Sequence, residues 1–133
     1  MRLGNVLEMV ARVESGQGEG EGSWIDGRMV CVLAGGTESP AKYTAAGVSY
    51  VPAGITTAPH THEAEEIAYV VSGSGVIEID GSEIAVNVGD VVLVKSGLPH
   101  RTWASETESL GVFWTYAPPE SVIRWLESAE KGR

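Results

Sequence analysis

The run GITTAPHTHEAEEIAYVVSG, Gly54 to Gly73, contains two of the chain's three histidines, and the third, His100, closes the run GDVVLVKSGLPH that begins at Gly89. In an extended strand, side chains two residues apart point to one face, so His60 and His62 can aim both imidazoles at a single point. Glu66 shares their parity provided the stretch Glu63-Ala64-Glu65 keeps register; a bulge there would exchange Glu65 for Glu66. His100 opens a later strand, and closure of a barrel would bring it opposite the first pair. Three neutral imidazoles and one carboxylate form a mononuclear site for a divalent transition metal. An isolated H-x-H pair is weak evidence on its own, because a histidine in a β-protein is ordinarily a surface or core residue with a satisfied hydrogen bond. Here the pattern extends well beyond the pair.

The sequence on either side reads as short β-like runs separated by turn residues: MVCVLAGG, GVSYVPAG, EEIAYVVSGSG, GVIEIDG, SEIAVNVGD, VVLVKSG, HRTWAS and LGVFWTYAP. Runs spaced at roughly 8–12 residues predict an all-β sandwich or barrel. The 17 glycines, nearly double the usual share of about 7%, supply the turns this needs. Asp80-Gly81, between VIEI and EIAVNV, predicts a tight hairpin because both residues tolerate positive φ. Before the barrel, Leu3, Leu7 and Val10 fall at helical spacing, with Val6 and Val13 alongside. This predicts a short amphipathic helix or a strand that crosses to a partner subunit. Glu14 to Ser23, rich in Gly and Glu, reads as a mobile linker, giving an N-terminal segment over 1–23 and a barrel over 24–133. After Pro118-Pro119, the positions of Val122, Trp125, Leu126 and Ala129 predict a C-terminal helix on the outside of the barrel.

The first run spells Gly54, five residues, His60, one, His62, three, Glu66, six, Gly73. The second spells Gly89, five, Lys95, one, Gly97, two, His100. Together they resemble the two motifs of the cupin family, G-x5-H-x-H-x3-4-E-x6-G and G-x5-P-x-G-x2-H-x3-N. The resemblance covers about residues 40 to 117 and matches every specified position of the first motif. It implies a jelly-roll, or double-stranded β-helix, with the metal inside and its ligands at His60, His62, Glu66 and His100. Lys95 stands where the second motif has proline and Ala104 where it has asparagine. Neither position is a ligand, so these departures bear on the loop before His100 and not on the metal.

The chain has 133 residues, long enough for one domain with a core of its own. Its 9 Lys+Arg against 18 Asp+Glu give a formal charge of -9, which argues against nucleic acid and anionic membrane surfaces as partners. The first residues have no apolar run suited to a signal peptide or membrane span, and one cysteine makes no intrachain disulfide, so a cytoplasmic location is expected. Cys31, in an apolar run, reads as a buried, inert thiol. A dication (Fe, Mn, Ni or Zn), one carboxylate and neutral imidazoles sum to +1, which welcomes a small, anionic oxygen ligand. Four protein ligands on a six-coordinate ion leave two positions open for a bidentate substrate, or for one substrate oxygen plus O₂.

A metal-dependent enzyme acting on a small oxygenated molecule follows, with oxidative cleavage of dioxygenase type ahead of lyase or isomerase chemistry on a sugar acid or hydroxy acid. A non-catalytic binding or sensing barrel is the alternative. Lys95 and Arg101, flanking His100, are candidates to hold a substrate carboxylate, and Tyr50 and Tyr116 are candidate proton donors. Tyr69, Glu63 and Glu65 have the wrong parity for the site, and Trp103, Phe113 and Trp114 read as lining or inter-subunit packing. Edge strands and the apolar N-terminal segment predict a homodimer.

Overall fold

In a computed structural model that describes residues 1–15 and 23–119, two Asp-Gly pairs fix the hairpins that set the registers around the site. Asp26-Gly27 joins β1 (Ser23–Ile25) to β2 (Arg28–Ala34), and all its φ values are positive, 50° and 84°. The strand pairing Ile25 with Arg28 makes this a two-residue loop, in which positive φ at both central positions matches the twist of the strands. Asp80-Gly81 does the same, with φ 49° and 85°, between β4 (Glu65–Ile79) and β5 (Ser82–Asn87). The remaining strands are β3 (Ala45–Val51), β6 (Val91–Val94), β7 (His100–Ala104) and β8 (Leu110–Ala117).

Every strand pair is antiparallel, and the fold is the all-β jelly roll expected. One layer runs β1-β2-β3-β8-β4-β6, and the other places β5 and β7 on either side of β4. The sequence reads EEIAYVVSGSG and GVIEIDG as separate runs, but the structure makes them one 15-residue strand that serves both layers. Its first half pairs with β6 and β8, and its second with β5 and β7. The register slips between Val70 and Ser72, an irregularity that bends a strand from one layer into the next. Gly73 sits at this turn with φ 72°, where a Cβ would overlap the Ser109 carbonyl oxygen.

Two apolar clusters fill the barrel. Val51, Ala68, Val70, Ile77, Val86, Val92, Ala104, Leu110 and Val112 form one, and Ile25, Val30, Ala45, Ala64, Trp114 and Tyr116 the other. The N-terminal segment is helical over α1 (Val6–Glu14), and Asn5 caps it by accepting from the Glu8 amide at 3.0 Å. Its apolar face differs from the one expected. The helix begins after Leu3, Leu7 is exposed, and the buried residue is Val10, packed over β3 and β4. Glu14 ends the helix and accepts from the Ser109 hydroxyl at 3.0 Å, while Ser23 opens β1, so neither belongs to a linker. The rest of the expected linker, 16–22, and the expected C-terminal helix lie outside the described residues. Cys31 is half-buried on β2, because its parity turns it away from the barrel interior that Val30 faces.

Candidate metal centre

Strand alternation sorts the residues around the site. On β4, Glu66 and Ala68 face inward, whereas Ile67 and Tyr69 are exposed; Glu63 and Glu65 are exposed as well. His60 lies in the approach to β4 and pairs directly with His100 at the start of β7, each amide donating to the other's carbonyl at 3.0 Å. The loop before His100 is held to the first pair, since the Gly97 amide donates to the His62 carbonyl at 2.9 Å. Lys95 in place of proline therefore leaves His100 in position. Ala104, in place of asparagine, is buried, and its amide donates to the Ile55 carbonyl.

The three imidazoles converge. Ring centroids are 4.2 Å apart for His60 and His100, 4.7 Å for His62 and His100, and 5.6 Å for His60 and His62. One ring nitrogen from each lies within 4.8 Å of those of the other two, an arrangement able to hold a metal ion. Each Nδ1 faces a main-chain carbonyl: Ala58 at 3.3 Å for His60, Ala64 at 2.8 Å for His62 and Leu98 at 2.9 Å for His100. A carbonyl only accepts, so each Nδ1 carries the proton and donates it. Every neutral ring is thereby left with a lone pair on Nε2, the tautomer a metal ligand needs.

Glu66 completes the cluster, with Oε1 at 3.2 Å from His62 Nε2 and 3.6 Å from His100 Nε2. Burial raises its carboxyl, and a proton on His100 or His62 Nε2, donated to Oε1, would lower it; with the neutral tautomers a bound cation takes the place of that proton. His60 is pushed down to about 4, first by burial, then by the nearby His100 and Arg28 charges, so it is neutral at physiological pH. His100 Nε2 is buried without a hydrogen-bond partner among the described residues. A buried acceptor without a partner, beside a carboxylate and two further imidazole lone pairs, is a donor set that a cation satisfies. The residues present fit a divalent transition metal.

The pocket holding this cluster measures about 540 Å³ out to its open mouth. Val51, Ala68, Ile77, Val94 and Val112 make its apolar wall, and Arg28, Ser49, Thr102, Trp114 and Tyr116 add polar groups. The Trp114 indole donates to the Ser49 hydroxyl at 2.9 Å. Tyr116 is buried, its ring 4.5 Å from that of His62; burial, then the Glu66 charge, raises its pKa and keeps the phenol protonated.

Three of the sequence candidates lie elsewhere. Tyr50 is outside the pocket because Ser49 and Val51, its neighbours on β3, take the inward parity. Arg101 follows inward-facing His100 and so points out, where it forms an ion pair with Glu78 at 3.1 Å and stacks over Trp103. Lys95 is exposed in the turn and does not line the pocket. The buried cation of the pocket is Arg28, 6% exposed, which the sequence reading passed over by starting that strand at Met29. The signal for it is Asp26-Gly27: a two-residue turn there makes Arg28 the first strand residue, in phase with Val30 and Val32.

A family profile described as "Cupin domain" matches residues 47–116. An uncharacterized protein of Streptomyces coelicolor is 33% identical over 75 residues, covering 56% of this chain and 70% of that protein. Among solved structures, KdgF from a Halomonas species is 23% identical with a TM-score of 0.61, over 74% of this chain and 86% of that one. The DMSP lyase DddQ of Ruegeria pomeroyi is 27% identical with a TM-score of 0.58, over 66% of this chain and 46% of that one.

Proposed function

The chain belongs to the cupin family, and from that premise we propose that it is a metal-dependent enzyme acting on a small oxygenated organic molecule. His60, His62, His100 and Glu66 would hold one divalent transition metal ion, Fe, Mn, Ni or Zn, per chain. The observation that carries this reading is the set of imidazoles, each with Nδ1 tied to a main-chain carbonyl and Nε2 left to ligate. The ion would supply Lewis acidity to a substrate oxygen.

The chain's own residues favour proton transfer, as in lyase or isomerase chemistry on a hydroxy acid or sugar acid. Tyr116 lines the pocket with its phenol kept protonated by burial and by the Glu66 charge. The likeness to the Ruegeria lyase supports the same class. Oxidative cleavage is the second reading, supported by the apolar wall, an environment suited to dioxygen.

Substrate-depletion and oxygen-uptake assays on the iron- and manganese-loaded protein separate the two. Substrate loss without oxygen uptake, slowed on the order of 100-fold in Tyr116→Phe, is the result expected for a group that transfers a proton. Oxygen uptake matching substrate loss would favour oxidative cleavage. Binding without turnover across a broad panel of hydroxy acids, sugar acids and diketones would sink the enzyme and favour a binding or sensing barrel.

A homodimer is part of the proposal, built on the outer face of β4 and β6. Ile67 pairs with Leu93 and Tyr69 with Val91, all four exposed, which gives an uncharged apolar patch on a chain of net charge -9. Two like-charged copies meet with least repulsion there. The cytoplasmic setting and the absence of nucleic-acid and membrane partners are proposed with it on charge; among the described residues no helix is long and apolar enough to cross a membrane.

A further inference from the structure

Arg28 is a buried cation lining a pocket for which the sequence offers Lys95 and Arg101 instead. Arginine is almost never fully buried unless its charge is answered. The turn at Asp26-Gly27 and the pairing of Ile25 with Arg28 make it the first residue of β2, and Val30, two residues on, packs in the same cluster as Trp114 and Tyr116. It therefore lines the same pocket as His60, Glu66, His100 and Tyr116. Its neighbourhood appears from several sides: burial lowers its pKa, while Tyr116, Glu66 and the exposed Asp26 raise it, and its own charge helps to depress His60.

With a dication at the histidines, the charges lining the pocket are that ion, Glu66 and Arg28, a sum of +2; Asp26, exposed in the turn, is screened by solvent. A monoanion lowers this sum to +1, and a second, neutral oxygen on it can reach the ion. A planar guanidinium presents parallel donors that match a carboxylate.

We propose that Arg28 is the anchor for a substrate carboxylate in this pocket, so that the substrate class is the small hydroxy- or keto-carboxylates, with the carboxylate against Arg28 and the second oxygen toward the histidines. This rests on the metal-centre reading for the second contact and on Arg28 alone for the first. It gives Arg28 the role that the sequence assigns to Lys95 and Arg101.

The test is calorimetric titration of the full chain with lactate and with lactamide, its neutral counterpart, in the metal-free and Mn²⁺-loaded states. Mn²⁺-loaded wild type is expected to prefer lactate at least about tenfold, the discrimination a charge-assisted pair supplies. Arg28→Gln is expected to bring that preference within about twofold while Mn²⁺ affinity stays within about threefold of wild type. A folded, Mn²⁺-binding Arg28→Gln that keeps the preference overturns the proposal. If that variant does not fold, Arg28→Lys decides. It keeps the charge without the planar fork and should weaken lactate several-fold and lactamide not at all, whereas an unchanged lactate affinity overturns the proposal. If wild type takes up none of Mn²⁺, Fe²⁺, Ni²⁺ and Zn²⁺, the metal-centre reading fails, and the metal-free titration judges Arg28 alone. Lactate preference lost in the variant supports the anchor, and no lactate preference in wild type overturns it.

Discussion

His100 is the most enclosed of the three imidazoles, 5% exposed, with its Nδ1 proton committed to the Leu98 carbonyl and its Nε2 facing Glu66 across 3.6 Å. At this scale the histidines and Glu66 are readable in the sequence, because strand parity depends only on counting and each falls on an inward position. The same count, applied one residue further, sends Arg101 outward to Glu78, and it makes Tyr50 the outward neighbour of two lining residues. Which tyrosine faces inward depends on the phase of strands whose ends the sequence marks loosely; Arg28 shows the same difficulty at a strand's first residue.

The depressed His60 pKa fixes the sign of a pH effect in the metal-free protein. Folded His60 binds its proton only near pH 4, whereas the unfolded residue binds one near its ordinary value of 6.5. The unfolded state holds more protons between these values, so stability falls as pH drops from 6.5 toward 4, by about 3 kcal/mol at the full shift. Thermal melts of the chelated protein should show this loss in wild type and a smaller one in His60→Gln. Identical pH profiles would contradict the environment described for His60.

At the scale of elements, β4 connects the layers, and its bend at Gly73 is what lets one strand carry Glu66 into the pocket and Ile77 into the opposite wall. The alternation of EEIAYVV and the Asp80-Gly81 turn are legible as strand and hairpin. The continuity through SGSG is not, because closely spaced Ser and Gly read as a turn until the neighbouring chain is known. Here the neighbour is Ser109, whose carbonyl occupies the space a Gly73 side chain would need. Gly73→Ala combines that overlap with positive φ and should cost at least about 2 kcal/mol, read as a lower urea midpoint at unchanged m-value. A midpoint within error of wild type would show that the bend tolerates a side chain.

Across the whole molecule, charge and apolar surface divide the roles. The chain is acidic overall, yet the pocket gathers a buried arginine with imidazoles able to hold a metal ion, so its interior is suited to anions although its exterior repels them. The patch of Ile67, Tyr69, Val91 and Leu93 makes a prediction at this scale. Sedimentation should give about twice 14.0 kDa for wild type, and Leu93→Glu, which places a charge in the patch, should shift the mass toward one chain without changing metal content. A wild-type mass near 14.0 kDa would rule out the dimer.

The claim on which the account rests is that His60, His62, His100 and Glu66 form one metal site. Metal analysis of protein purified without chelators or affinity-tag metals, run beside His100→Ala, addresses it directly. The account predicts one divalent transition metal ion per chain in wild type and near-complete loss in the variant, with the fold retained by circular dichroism. Wild type without stoichiometric metal, or a His100→Ala variant carrying as much as wild type, would contradict it.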